Sequence, residues 1–177
     1  MNFSNNQISL RQALTQALLY ASDESKTEEA IYVSAINCPK QTVYESMMAT
    51  KRRFGKLGGN VAYHGFQSFA EGEVTPDMAH EIGKKLAREL WGNRYQVLVT
   101  THLDKDSHLH NHFVINTVSF VDGVKFHRTK RDYQKMREVS DRLCREYSLS
   151  VIEHPKGHGK NYAEWRAEKN GAYTKNG

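Results

Sequence analysis

Cysteine is nearly absent from this chain of 177 residues, with only Cys38 and Cys144 present. Two thiols cannot staple a fold of this size, so a disulfide scaffold is excluded and a reducing cytoplasm is the expected compartment. Long apolar runs are missing too. No stretch approaches about 18 consecutive apolar residues, which excludes a spanning helix. The opening "MNFSNNQISL" lacks the basic-then-apolar pattern of a secretory leader. No segment repeats or is of low complexity, and no Gly-rich phosphate loop follows a predicted strand, which argues against a doubly wound parallel sheet. What remains is a soluble globular chain, 25% charged with mean hydropathy −0.71, long enough to bury one core.

The net charge is +5, and its clustering matters more than its total. "KFHRTKRDYQKMR" (125–137) carries six Lys/Arg against one Asp, and "KRRFGK" (51–56) carries four with no acid. "SDESKTEEA" (22–30) has the opposite balance, four acids against one Lys. Positive charge interleaved with Phe and Tyr suits a phosphate backbone with bases to stack. A solvated basic face would have the same composition, so charge alone decides nothing.

Periodicity gives the element order. Residues 8–22 place Ile8, Leu10, Leu14, Ala17, Leu18 and Ala21 near helical spacing. Strands are expected over 30–37, 60–69, 94–102 and 108–121, with a further short one over 150–153. Helices are expected over 40–54, from an N-cap at Thr75 with Pro76 in the first turn to a stop at Gly92, and over 129–149. Only "LDKDS" separates the strand ending at His102 from the one opening at His108, so the two should form an antiparallel hairpin. The fold class that follows is α+β, a central antiparallel sheet with flanking helices. The domain spans residues 1–153, with 154–177 as a peripheral tail, and a further C-terminal region beyond it is expected.

The chemistry concentrates in "THLDKDSHLHNHFVIN" (101–116), where four of nine histidines fall within eleven residues. On a strand, residues i, i+2 and i+4 share a face. His108, His110 and His112 therefore point one way, and Leu109, Asn111 and Phe113 the other; Ile115 is assigned to the histidine side. A hairpin folds His102 back beside them. Imidazoles converging on one patch supply the nitrogen donors of a divalent metal, although an edge strand could carry surface histidines. Three neutral ligands leave the ion its full charge and open positions, which suits a Lewis acid. Asp104 and Asp106 could orient an imidazole or be ordinary turn residues.

The pattern H-x-D-x5-H-x-H-x3-N, formed by His102, Asp104, His110, His112 and Asn116, resembles the third motif of conjugative relaxases. These are the HUH nucleases that nick DNA at an origin of transfer. "YASDESKT" (20–27) resembles their first motif. "SAINC" (34–38), "YHGFQSFAEGEVTP" (63–76), "AHEIGKKLARELWG" (79–92) and "SDRLCREYSLSV" (140–151) are similar to mobilisation relaxases of Gram-positive integrative elements and plasmids. Two departures accompany the resemblance. The residue between paired histidines is usually bulky and apolar, yet Asn111 stands there, and the turn "LDKDS" is one residue longer than the common form. The expected ligands are His102, His110 and His112, with His108 as runner-up and Asp104 orienting one of them.

The resemblance implies a tyrosine nucleophile that forms a 5′-phosphotyrosyl link and frees a 3′-hydroxyl. Tyr20 matches the first motif, although without the resemblance it would read as the cap of a helix's apolar face. Tyr32, Tyr63, Tyr133 and Tyr147 read as core or DNA-contact residues. His64, Gln67, Ser68 and Asn116 are candidates for the phosphate pocket, with Gln67 on the opposite strand face from His64 and Ser68. Lys125, Arg128, Lys130 and Arg131 are the expected contacts to a hairpin or duplex arm beside the nick. His80, His127, His154 and His158 receive no chemical role. The implied cofactor is a divalent metal, Mn or Mg first, with Zn, Ni or Co possible. The implied partners are single-stranded DNA at an origin of transfer, accessory relaxosome proteins and a coupling protein. Two other classes fit parts of the pattern: a rolling-circle replication initiator, whose tyrosine follows the histidines as Tyr147 and Tyr162 do, and a non-catalytic DNA-binding module with a structural metal. A water-activating hydrolase, forming no covalent intermediate, is a third.

Overall fold

A computed structural model describes Gln12, residues 32–103 and residues 108–153. Apart from Gln12, which is helical, the expected helix at 8–22 lies outside the described residues, as do Tyr20, Asp104, Asp106, Tyr162 and the tail from 154. Within them the order is β1 (Val33–Ile36), α1 (Val43–Arg53), β2 (Ala62–Ser68), α2 (Pro76–Trp91), β3 (Val97–Leu103), β4 (Leu109–Asn116) and α3 (Lys130–Glu146). A 3₁₀ turn, Lys40–Thr42, leads into α1. The four strands form one sheet in the order β1-β3-β4-β2, and every pairing is antiparallel. The fold is therefore the α+β class expected, with the β3–β4 hairpin at its centre.

The two long helices form where local signals agree. The Thr75 side chain accepts from Met78 N at 3.3 Å, Pro76 sits in the first turn, and Gly92 caps the end of α2. Ala79, Ile82, Gly83, Leu86 and Ala87 recur at helical spacing and are buried on the sheet. The α3 helix opens on a capping box: Asp132 N donates to Thr129 Oγ1, and Thr129 N donates back to the Asp132 carboxylate. Its buried stripe is Met136, Val139, Ser140, Leu143 and Cys144.

Both helices cover the same sheet face, building the main core with Val97, Val99, Leu109, Phe113 and Ile115. Ile115 thus lies with Leu109 and Phe113 rather than with the histidines, as strict alternation requires. The opposite face is divided. At one end α1 packs Val43 and Met47 on Ala62, Leu98 and Val114; at the other end the histidines project.

Two expectations need correction. The strand at 108–121 ends at Asn116, because the chain turns back to bridge Val118 with Lys125. Residues 150–153 form no strand; Ser150 instead bonds Glu73 through both its N–H and its hydroxyl. Of the two readings left open for "KRRFGK", a uniformly solvated basic face does not hold. Lys51 is buried at 1% exposure, where its Nζ donates to Thr117 Oγ1 at 3.2 Å. Burial, and then the charge of Lys125, lower its pKa to about 8. Cys38 and Cys144 are free thiols.

Candidate metal centre

The centre is built by strand register. His102 on β3 stands directly opposite His110 on β4, and Thr100 opposite His112. On the other side Phe66 pairs with His112 and Ser68 with His110. Paired residues share a face, so His102, His110, His112, His64, Phe66 and Ser68 all belong to the face that α1 leaves to the histidines. The rings of His102 and His112 stack with centroids 4.2 Å apart, and His110 meets His102 edge-on at 4.4 Å. One ligand nitrogen from each of His102, His110 and His112 can be chosen so that all three lie within 4.8 Å of one another. Among the described residues this is the group of histidine, cysteine and carboxylate side chains able to hold a metal ion.

His112 shows how the donor set suits an ion. Its Nδ1 lies 3.1 Å from His64 Nε2, whereas its Nε2 is buried with no hydrogen-bond partner. A buried polar nitrogen left unpaired costs about 1–3 kcal/mol, and a coordinated cation would satisfy it. Burial chiefly, with help from the charges of His102, His64 and His110, pushes the pKa of His112 down to about 2. Burial lowers His64 to about 4. Both rings are therefore neutral near pH 7, the form that ligates metals.

The remaining predicted residues separate by position. His108 precedes the first residue of β4 and is not in the group of three that could hold an ion. Ser68 is exposed at the end of β2, opposite His110. Gln67 is on the other face, as alternation required, where its Nε2 donates to Ser140 Oγ at 2.8 Å. Asn116 shares the histidine face, but β4 rises roughly 20 Å between His110 and Asn116. There its side chain donates to Met47 O and Gln96 Oε1 beneath α1. The side chains of Gln67 and Asn116, expected in a phosphate pocket, are thus engaged in buried hydrogen bonds away from the histidine patch. Lys125, Arg128, Lys130 and Arg131 lie beyond the same far end of β4, leading into α3.

Asn111, the departure from the apolar pattern, is explained by the back of the same strand. It is fully buried, with Nδ2 donating to Gln67 Oε1 at 2.9 Å and to Ala79 O at 2.8 Å. Its Oδ1 accepts from Thr101 Oγ1. The Thr101 hydroxyl has spent its proton, so it accepts from His80 Nδ1 at 2.8 Å. His80 Nε2 then accepts from Ser34 Oγ at 2.7 Å. One directional chain runs from Ser34 through His80, Thr101, Asn111 and Gln67 to Ser140. Helix α2 must approach closely to admit it. A Cβ on Gly83 would stand 2.6 Å from Asn111 Nδ2, so any larger residue would force Asn111 to shift. Sequence reasoning passed over His80, and also Phe66, whose ring lies 4.3 Å from His64 and 4.5 Å from His112. Alternation alone places Phe66 beside the histidines; nothing local signals the pairing of His80 with Thr101.

Comparison with known families decides the assignment. Residues 20–149 match the nuclease domain of the MobA/VirD2-like relaxases. The chain belongs to that family. Two relatives from Staphylococcus aureus, each named Protein rlx, are similar to this relaxase domain. One is 36% identical over 150 residues, covering 85% of this chain and 43% of the relative. The other is 38% identical over 139 residues, covering 78% and 42%. The group II intron-interrupted relaxase LtrB of Lactococcus lactis is 28% identical over 126 residues, 61% of this chain and 22% of that protein. The chain therefore spans less than half the length of these curated relatives. No solved structure matches the relaxase domain.

Proposed function

We propose that this domain nicks and rejoins one DNA strand at an origin of transfer, with Tyr20 as nucleophile and His102, His110 and His112 as metal ligands. The convergence of three histidine nitrogens within 4.8 Å carries the reading, together with family membership. A divalent ion on these ligands, Mn or Mg first and Zn, Ni or Co as alternatives, would supply Lewis acidity toward a phosphate oxygen. The Tyr20 hydroxyl gives up its proton and its oxygen attacks the scissile phosphorus. The bond from phosphorus to the 3′ oxygen breaks, and that oxygen takes up a proton to leave as a free 3′-hydroxyl. Because a phenolate is a tolerable leaving group, the 5′-phosphotyrosyl bond can be reversed by the same hydroxyl.

The chain's other residues take supporting roles. Ser68, exposed beside His110, is proposed to donate to a phosphate oxygen, and Asp104 to orient a ligand imidazole. Lys125, Arg128, Lys130 and Arg131 are proposed to contact a hairpin or duplex arm. Their position at the far end of the sheet, some 20 Å from the ligands along β4, suits DNA outside the nick. Residues 1–153 are proposed as the catalytic domain, with 154–177 peripheral to it. Working partners would be single-stranded DNA, accessory relaxosome proteins and a coupling protein, in the cytoplasm.

The test uses a single-stranded oligonucleotide carrying the nick site, labelled on the 3′ side of the break and incubated with Mn²⁺. A protein–DNA adduct on a denaturing gel, lost in Tyr20→Phe and lost with EDTA, is the expected result. An adduct that survives Tyr20→Phe would move the nucleophile to another tyrosine. Cleavage without an adduct would replace the proposal with a water-activating nuclease.

A further inference from the structure

We propose that His64 is the positioning residue of the metal centre: its Nε2 accepts the Nδ1 proton of His112, fixing the tautomer and ring angle that present His112 Nε2 as a ligand. The proposal rests on the metal-centre reading above and deepens it, giving His64 a role other than phosphate contact.

A histidine that coordinates through one nitrogen donates its other N–H to an acceptor, which locks the tautomer, the ring orientation and the basicity of the ligand. For His112 the coordinating atom is already determined, because Nε2 is buried and unpaired while Nδ1 has a partner. That partner is His64 Nε2 at 3.1 Å, a normal hydrogen-bond length. Two neutral imidazoles bond only when one donates and the other accepts. With Nε2 of His112 kept free for an ion, its proton resides on Nδ1, and His64 Nε2 must be the acceptor.

The surroundings hold His64 in place. Its position opposite Val114, one alternate pair from Phe66 and His112, puts it between the apolar cluster under α1 and the ligands. The Phe66 ring wedges against both imidazoles, with centroids 4.3 Å from His64 and 4.5 Å from His112. His64 and His112 stack with an interplanar angle of 30°. The His112 ring is therefore fixed by a hydrogen bond at one nitrogen and by aromatic contact along its edge. The chemical consequence is distinct. Where a carboxylate would add negative charge, an imidazole acceptor adds none, so an ion on three neutral ligands keeps its full double positive charge toward a phosphate.

The test measures metal binding to metal-free protein, independently of cleavage. Co²⁺ is titrated by its d–d absorption and Mn²⁺ by calorimetry, for wild type, His64→Leu, His64→Gln and His112→Ala. Affinity is expected to fall about 10- to 100-fold in His64→Leu, with the melting temperature of the metal-free protein little changed. Most of it should return in His64→Gln, whose carbonyl oxygen can accept the same proton. A histidine ring ¹⁵N spectrum of Cd²⁺-loaded wild type needs no variant; His112 should be coordinated through Nε2 and protonated at Nδ1. Unchanged metal affinity in His64→Leu, with cleavage lost, would overturn the proposal in favour of a phosphate contact. So would coordination of His112 through Nδ1. If wild type and His112→Ala bind metal equally, the metal-centre reading itself fails, and His64 with it.

Discussion

Two histidines on opposite faces of one sheet, His80 buried and His112 half-buried, show how neighbouring positions lead to different roles. His80, behind the strands, and His112, in front of them, both have pKa values lowered chiefly by burial. His80 is satisfied at both nitrogens, by Ser34 and Thr101. His112 is satisfied at one, and its Nε2 is left buried and unpaired among other imidazoles. A histidine bonded at both nitrogens stabilises a fold; one with a spare lone pair, grouped with others, can serve as a metal donor. Burial and protonation state alone would not separate them, and hydrogen-bond accounting does.

The largest expected effect breaks the comparison on the metal side. His112→Ala should weaken Mn²⁺ or Co²⁺ binding by more than about 100-fold, beyond the loss expected for an outer-layer residue. In wild type, metal at about 100 times its Kd should raise stability by about 2.7 kcal/mol; thermal unfolding should show that increment gone from His112→Ala. Next comes His80→Leu, which strips bonds from Ser34 and Thr101. Chemical denaturation should show a loss of about 2 kcal/mol, while metal affinity stays within a few-fold of wild type. A large fall in affinity there would mean that the two faces are not separate.

Acid sharpens the same contrast. The folded pKa of His80 is lowered to about 4 from 6.5, so between those values the unfolded chain binds more protons than the folded one. Its contribution is fully present above pH 6.5 and is lost as pH falls toward 4. Denaturant midpoints of the metal-free protein should decline over that window, and His80→Leu should flatten the part due to this residue. The smallest effect belongs to Gly83→Ala. Helix propensity favours alanine by roughly 0.5–1 kcal/mol, but the new methyl meets Asn111 Nδ2 at 2.6 Å. A net loss of about 1 kcal/mol is expected from urea unfolding; a gain would show that the Asn111 network yields easily.

Much of the fold was legible locally. Thr75, Pro76 and Gly92 mark the ends of α2, because cap chemistry depends on adjacent residues. The β3–β4 hairpin followed from the shortness of "LDKDS" between two apolar strands. Strand ends were less legible. Nothing in "TVSFV" announces that β4 stops at Asn116, since Val118 turns instead to bridge Lys125. The burial of Lys51 was illegible for a related reason, since α1 turns it inward toward Thr117 and composition carries no direction.

At the site the division is similar. Alternation within β4 placed His110 and His112 on one face and Asn111 on the other, and a hairpin was enough to bring His102 to them. These are consequences of a period of two and a short turn, which the sequence by itself determined. Three things were decided only by tertiary structure. His108 stands one residue before β4 begins and outside the group of three that could hold an ion. Gln67 and Asn116 were drawn into buried bonds with Ser140 and Gln96. His64 was set against His112 by the register between β2 and β4, two strands far apart in sequence. The physical reason is the same each time: a hydrogen bond depends on ångström distances between side chains, and for strands joined by long connections those distances are set by packing, not by spacing in the chain.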